Sequence, residues 1–236
     1  MSSAPTGPTA PTGFAEHVSA LAAGNLLRVV NFHLTPSSAA DALRAELSGY
    51  AERYDPVTEG ELDAFFATGR WSGKRPGLIP AFYEGYRDGY EVVAPILDQV
   101  GLTGWFFVCT GWVDTAPPQQ EAYAHAHHLA LARTDAGRDR IALSWDEVAG
   151  LAARHVVTPH TASHAPAVNL TTAADRHREI VEPKQRIESV IGRPVPALAY
   201  LHGTHHGLVP AADRAVVAAG YHYVFSNTMV QQVSGG

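Results

Sequence analysis

The sequence predicts an α/β fold built around a parallel sheet. Three observations carry this. Six short apolar runs, most of them rich in β-branched or aromatic residues, recur along the chain. Helix-like segments separate them, an alternation that produces parallel strands with helical cover. Each run also closes on polar or reactive residues, at the strand end where ligands sit in parallel α/β folds.

In chain order, "LLRVVNFH" (26–33) ends at His33, and "SAADALRAELSGYAERY" (38–54) follows a cap at Ser37 or Ser38. "GLIPAFYE" (77–84) ends on Tyr83 and Glu84. "RDGYEVVAPILDQVG" (87–101) places Val92, Val93, Ile96, Leu97 and Val100 at helical spacing and stops at Gly101. "GWFFVCT" (104–110) ends at Cys109 and Thr110, and its near-continuous apolar start suits burial on both faces. Residues 115–140 read as an insertion, part helix and part loop. "SWDEVAGLAARH" (144–155) opens with a capping box, Ser144 and Glu147. "HVVTPH" (155–160) ends at His160. A long helical pattern over 171–192 contains Pro183, which should kink or divide it. "PALAYLHG" (196–203) ends at His202 and Gly203, "VPAADRAVVAAG" (209–220) forms a further helix, and "YHYVFSN" (221–227) ends at Ser226 and Asn227.

Six strands over about 200 residues fit an open sheet, or a barrel that is small or incomplete. Residues 1–13, rich in Pro, Thr and Ala, read as a disordered tail, and 14–236 as one domain with no second boundary. No repeat of 20 to 50 residues is visible, which argues against a solenoid.

Composition narrows the function. A formal charge of −6 with no basic block argues against a nucleic-acid partner. No apolar run approaches the roughly 20 residues of a membrane helix, and the N-terminus lacks the basic start and apolar core of a signal peptide. The expected location is cytoplasmic. The single cysteine, Cys109, excludes an internal disulfide framework and a cysteine-based zinc site. Thirteen histidines, scattered through the body, suggest metal or proton chemistry.

The sharpest local signal is "HTASH". His160 and His164 follow a strand, and two imidazoles at that spacing can face one ion if the backbone makes a single turn. Neutral imidazole suits zinc and several other divalent metals. A third ligand must come from another strand end, and Glu84 is the available carboxylate. Two histidines and a carboxylate leave positions open for water and substrate. The plainer alternatives are strand ends that are polar because they leave the core, and a histidine pair satisfied by hydrogen bonds.

Taken together, these segments resemble the polysaccharide deacetylase family. "RPGLIPAFYEGYRDGYEVVAPILDQVGLTGWFFV" looks like its first motif region, where the strand ends in Thr-Phe-Asp-Asp-Gly-Tyr. "HTASH" looks like its His-Ser/Thr-x-x-His motif, "IGRPVPALAYLHG" its Gly-Arg-Pro…Pro-Tyr-Gly segment, "AGYHYVFS" the strand after it, and "VVNFH" its opening Tyr-His strand. The resemblance spans about residues 27 to 226, in order. It implies a distorted (β/α) barrel of about seven strands and hydrolysis of N-acetyl or related C–N bonds with a divalent metal, expected to be zinc. It implies that Glu84, His160 and His164 hold the metal, and that Thr110, Tyr200, Leu201 and Gly203 surround a small-molecule or glycan substrate. Neither nucleic acid nor membrane is an expected partner, and the oligomeric state is left open.

The departures matter as much. Where the family has its Asp-Asp pair, this chain has Tyr83 and Glu84. The first aspartate is the family's general base, and a phenol near pKa 10 is a poor substitute. The third motif carries Leu201 and His202 in place of Pro-Tyr. The family's late leucine-histidine motif is not found before Gly236, so a final strand and helix are expected to be missing. Three outcomes follow: Glu84 acts as base, His33 or His202 replaces it, or hydrolysis is lost and the scaffold binds or regulates. His202 is also a candidate acid for the leaving amine. His205 and His206 read as surface residues, and His125, His127 and His128 as a solvated or lid face. Cys109 reads as buried and inert.

Overall fold

The computed structural model describes residues 14–135, 137–227 and 233–235, so the Pro/Thr/Ala-rich stretch 1–13 lies outside the described residues. Every anticipated run contains a strand: β1 Arg28–Phe32, β3 Gly77–Phe82, β4 Trp105–Val108, β5 Val156–Pro159, β6 Ala197–Ala199 and β7 Tyr223–Phe225. Two further strands, β2 Asp55–Pro56 and β8 Val233–Gly235, come from segments without an apolar run.

Strands β1, β3, β4 and β5 pair in that order, all parallel. β2 adds in parallel to the start of β3, through Gly77 and Leu78, and β4 pairs farther on, at Ala81 and Phe82. A second sheet holds β6 parallel to β7 and β8 antiparallel to β7. The ladder is therefore interrupted between β5 and β6, and side chains bridge the seam. Thr158 Oγ1 donates to the Ala197 carbonyl, and His160 Nδ1 donates to the Ala199 carbonyl at 3.0 Å. At the other seam, Asn31 Nδ2 after β1's midpoint donates to Asn227 Oδ1 beyond β7 at 3.3 Å. The result is a distorted barrel, closed partly by side chains.

Strand alternation sorts the core into two layers. Ile79, Ala81, Tyr83, Trp105, Phe107, Val156, Ala197, Ala199, Tyr223 and Phe225 form one buried cluster inside the barrel. The alternate residues Leu78, Phe82, Phe106, Val108, Val157, Leu198 and Val224 pack outward under the helices. Phe107 stacks on Tyr83 at 5.0 Å and meets Phe225 at 4.9 Å. Each fully buried ring is worth roughly 1.5–3 kcal/mol by removal from water, so the interior is a packed core and chemistry is confined to its rim.

Two helices contain a proline within their run, and both absorb it in the same way. A π-turn over Gly89–Val93 precedes the helix Ala94–Val100, and another over His177–Val181 precedes Glu182–Ile191. The amides of Ala94 and Glu182 bond five residues back, to Gly89 and His177. The residues that follow are Pro95 and Pro183, which have no amide to offer. Pro183 thus divides its helix into α and π turns, as its position in the sequence suggests. The helix Glu59–Thr68 adds to the elements the sequence predicts; Thr58 and Glu61 form its capping box and Gly69 terminates it at φ 69°.

Candidate metal centre

Beyond Phe82 the inward phase places Tyr83 inside the barrel, and the chain then reverses. Glu84 has φ 71° and Gly85 has φ 93°. A Cβ on Gly85 would lie 2.9 Å from Val108 Cγ1, so the turn needs glycine there. Non-glycine residues at positive φ concentrate at this end of the barrel: Glu84 after β3, Thr161 and His164 after β5, His202 after β6 and Asn227 after β7. Each costs on the order of 1–3 kcal/mol and persists only where surrounding structure enforces it, a pattern typical of functional sites.

These turns bring Glu84, His160 and His164 together. One ligand atom from each lies within 4.8 Å of the others. Glu84 Oε1 is 3.8 Å from His164 Nε2. Both imidazoles have a fixed tautomer. His160 Nδ1 donates to the Ala199 carbonyl, and His164 Nδ1 donates to the His127 carbonyl, each at 3.0 Å. Their Nε2 lone pairs therefore face the cluster. Burial pushes both pKa values down, for His160 well below the usual imidazole range, so the rings are neutral and able to ligate. Glu84 Oε2 and His160 Nε2 are buried with no hydrogen-bond partner. Leaving such groups unmade is costly, and a cation between them would satisfy both. The donor set, two neutral imidazoles and a carboxylate, fits a divalent metal of the zinc type.

The other anticipated residues divide. His33 Nδ1 is 2.8 Å from Glu84 Oε1, and its ring stacks on Tyr83 at 5.1 Å. The Glu84 hydrogen bond raises the His33 pKa. Tyr83 is buried between the His33 and Phe107 rings, its hydroxyl donating to Asn31 Oδ1 at 3.4 Å. It fills the barrel interior. His202 stands exposed at the rim, its ring 6.0 Å from that of His164. Thr110 is buried at the start of the short helix Thr110–Asp114 and lines a cavity of about 630 Å³ with His127, Ser163, Arg178 and Glu179. Leu201 is buried, and Gly203, at φ 79°, continues the turn after it.

Tyr200 requires a correction. It is out of phase with Ala197 and Ala199, packs in the outer cluster beneath the helix Pro210–Ala218, and donates to Asp213 Oδ1 at 3.1 Å. Its side chain supports the barrel wall and is not part of the cluster at the mouth. The segment "AHAHH" also differs in part from a solvated face: His125 and His128 are exposed, but His127 is half-buried and its carbonyl orients His164. That role went unread because any residue can supply a main-chain carbonyl.

An α/β barrel carrying a two-histidine, one-carboxylate cluster at its strand ends presents a candidate metal centre. The chain belongs to the polysaccharide deacetylase family, whose profile matches residues 74–224, more than half of its length. The family is metal-dependent. No curated protein sequence matches the chain. Among solved structures it is similar to the Streptococcus pyogenes deacetylase PplD in complex with acetate (14% identity, TM-score 0.61, covering 83% of this chain and 80% of that one). It is similar to IcaB from Ammonifex degensii (18%, 0.61, 85% and 83%). It also resembles BC0361, a polysaccharide deacetylase from Bacillus cereus (16%, 0.62), covering 89% of this chain and 60% of that one. At these identities the likeness establishes the fold.

Proposed function

We propose that this protein is a zinc-dependent N-deacetylase that releases acetate from an N-acetylated amino sugar. The observation that carries the reading is the Glu84–His160–His164 cluster, whose ligand atoms lie within 4.8 Å of one another and two of whose buried polar atoms lack a hydrogen-bond partner. A divalent cation held there supplies Lewis-acid chemistry, acidifying a water and polarising the acyl carbonyl.

The chain's own residues supply the proton transfers. Tyr83 is committed to packing, and a phenol is a weak base at neutral pH. His33 takes over the base role. Its Nδ1–H is held by Glu84, which leaves Nε2 to accept the proton of the attacking water. As the C–N bond breaks, His202, at the rim with its ring 6.0 Å from that of His164, donates a proton to the leaving amine. Water adds across the amide, yielding acetate and a free amino sugar. The proposed substrate is a small N-acylated sugar and the proposed location the cytoplasm; among the described residues no helix is long and apolar enough to cross a membrane.

The test is acetate release from N-acetylglucosamine and its short oligomers by zinc-loaded protein. The expected result is turnover abolished by a chelator and lowered about 10²–10⁴-fold by His33→Gln with zinc retained. Absence of turnover in the zinc-loaded parent, with activity appearing in Tyr83→Asp, would favour a binding protein on the same scaffold.

A further inference from the structure

The tautomer of His164 is set by the segment 115–140, between β4 and the helix Trp145–Ala152. His127, whose carbonyl accepts the His164 Nδ1–H, caps the C-terminus of the helix Gln120–Ala126 within the insertion. A carbonyl holds an imidazole in one tautomer only if the carbonyl is itself fixed. Here its residue is clamped through its ring. His127 stacks on Tyr123, one turn earlier, with centroids 4.1 Å apart and planes at 30°. The Tyr123 hydroxyl reaches the Ala162 carbonyl at 3.4 Å, and the Gly111 amide donates to the same carbonyl at 2.8 Å. Ala162 lies between the two ligand histidines in "HTASH". The junction leaves no room for a side chain at Gly111: a Cβ there would lie 2.6 Å from Tyr123 Oη and 2.9 Å from the Ala162 carbonyl oxygen.

The insertion is also anchored at both ends. Gln120, almost fully buried, accepts from the amides of Ile141 at 2.8 Å and Ala142 at 3.0 Å, and donates to the Thr115 carbonyl at 3.0 Å. Arg138 ties the far end to Asp88 at 2.6 Å and Glu91 at 2.7 Å. The helix carrying Tyr123 and His127 is thus held against the metal loop and is not a free flap.

We propose that Tyr123 is a positioning residue for the metal centre: by fixing the His127 carbonyl and bracing Ala162, it commits His164 to ligation through Nε2. The inference rests on the metal-centre reading above. Outer partners of ligating histidines typically govern metal affinity by 10–100-fold, and this chain would draw that support from its insertion.

The test combines nitrogen-15 NMR of the histidine side chains with zinc affinity measured by chelator competition. In metal-free parent protein His164 should show the Nδ1–H tautomer, and Tyr123→Ala should mix the tautomers and weaken zinc binding about 10–100-fold. Tyr123→Phe, which keeps the stack on His127 but loses the hydroxyl contact with Ala162, should restore the tautomer and most of the zinc affinity. A folded Tyr123→Ala protein with parental tautomer and zinc affinity would overturn the proposal, as would ligation of zinc through His164 Nδ1. Tyr123→Leu serves the same purpose if the alanine variant does not fold. If the parent takes up no zinc, the metal reading fails, while the tautomer comparison in metal-free protein still decides the role of Tyr123.

Discussion

His155 and His160 flank the same strand, β5, and are both buried, yet the barrel uses them in opposite ways. At the floor, His155 Nδ1 accepts from the Gly104 amide at 3.3 Å, so its proton sits on Nε2, which faces Asp98 Oδ1 at 3.6 Å. At the mouth, His160 Nδ1 donates to the Ala199 carbonyl, so its lone pair sits on Nε2, beside Glu84 and His164. A backbone N–H in one place and a backbone C=O in the other select opposite tautomers. The result is one histidine that braces the barrel floor and one whose lone pair faces the candidate metal site. Residue type does not distinguish them, but the backbone group opposite Nδ1 does.

The largest effect should come from breaking the ligand member. His160→Ala removes one of three donors and should weaken zinc binding by at least about 100-fold, beyond the range that outer partners cost. His155→Ala should leave zinc uptake unchanged. It should cost about 1–3 kcal/mol of unfolding free energy, because the buried Gly104 amide loses its acceptor. Equilibrium zinc titration and urea unfolding of both variants make the comparison directly.

Acid sharpens the contrast further. Burial depresses the pKa of His155 and of His160 in the folded state. The unfolded chain therefore binds these protons more readily. The contribution of these two histidines to the stability of the metal-free protein should be flat above about pH 6.5 and fall as the pH drops from there toward the depressed folded values, whereas His33, raised by Glu84, contributes with the opposite sign and is lost as the pH rises. Each histidine contributes at most one proton, or about 1.4 kcal/mol per pH unit. His155→Ala should remove one such contribution from the slope, as read by urea midpoints between neutral and mildly acid pH.

The smallest effect should come from Tyr83, which lies at the mouth but behaves like the core. Tyr83→Phe loses a long hydrogen bond to Asn31 and keeps the stacks on Phe107 and His33. It should cost no more than about 0.5–1.5 kcal/mol and leave acetate release near the parental rate. A large loss of turnover with zinc still bound would return a catalytic role to the phenol.

Much of this architecture could be read from residues. The six apolar runs mark the main strands, Pro183 marks the division of its helix, and "HTASH" with Glu84 marks the candidate metal cluster. What escaped reading depends on backbone geometry. Tyr200 sits one residue out of phase with the inward set, and the run "ALAYL" is apolar on both faces, so its pattern cannot assign a side. The His127 carbonyl has no sequence signature. β2 is two residues held by pairing to β3, with no apolar pattern of its own. The helix Glu59–Thr68 did carry a signal, the Thr58–Glu61 capping box and Gly69, but too little apolar periodicity to draw notice.

The metal centre stands or falls on whether a cation binds between Glu84, His160 and His164. Crystals of the protein soaked in zinc, measured on both sides of the zinc absorption edge, test this directly. The account predicts one anomalous peak in bonding range of His160 Nε2, His164 Nε2 and a Glu84 carboxylate oxygen. A peak elsewhere, or none with the three side chains in these positions, would contradict it.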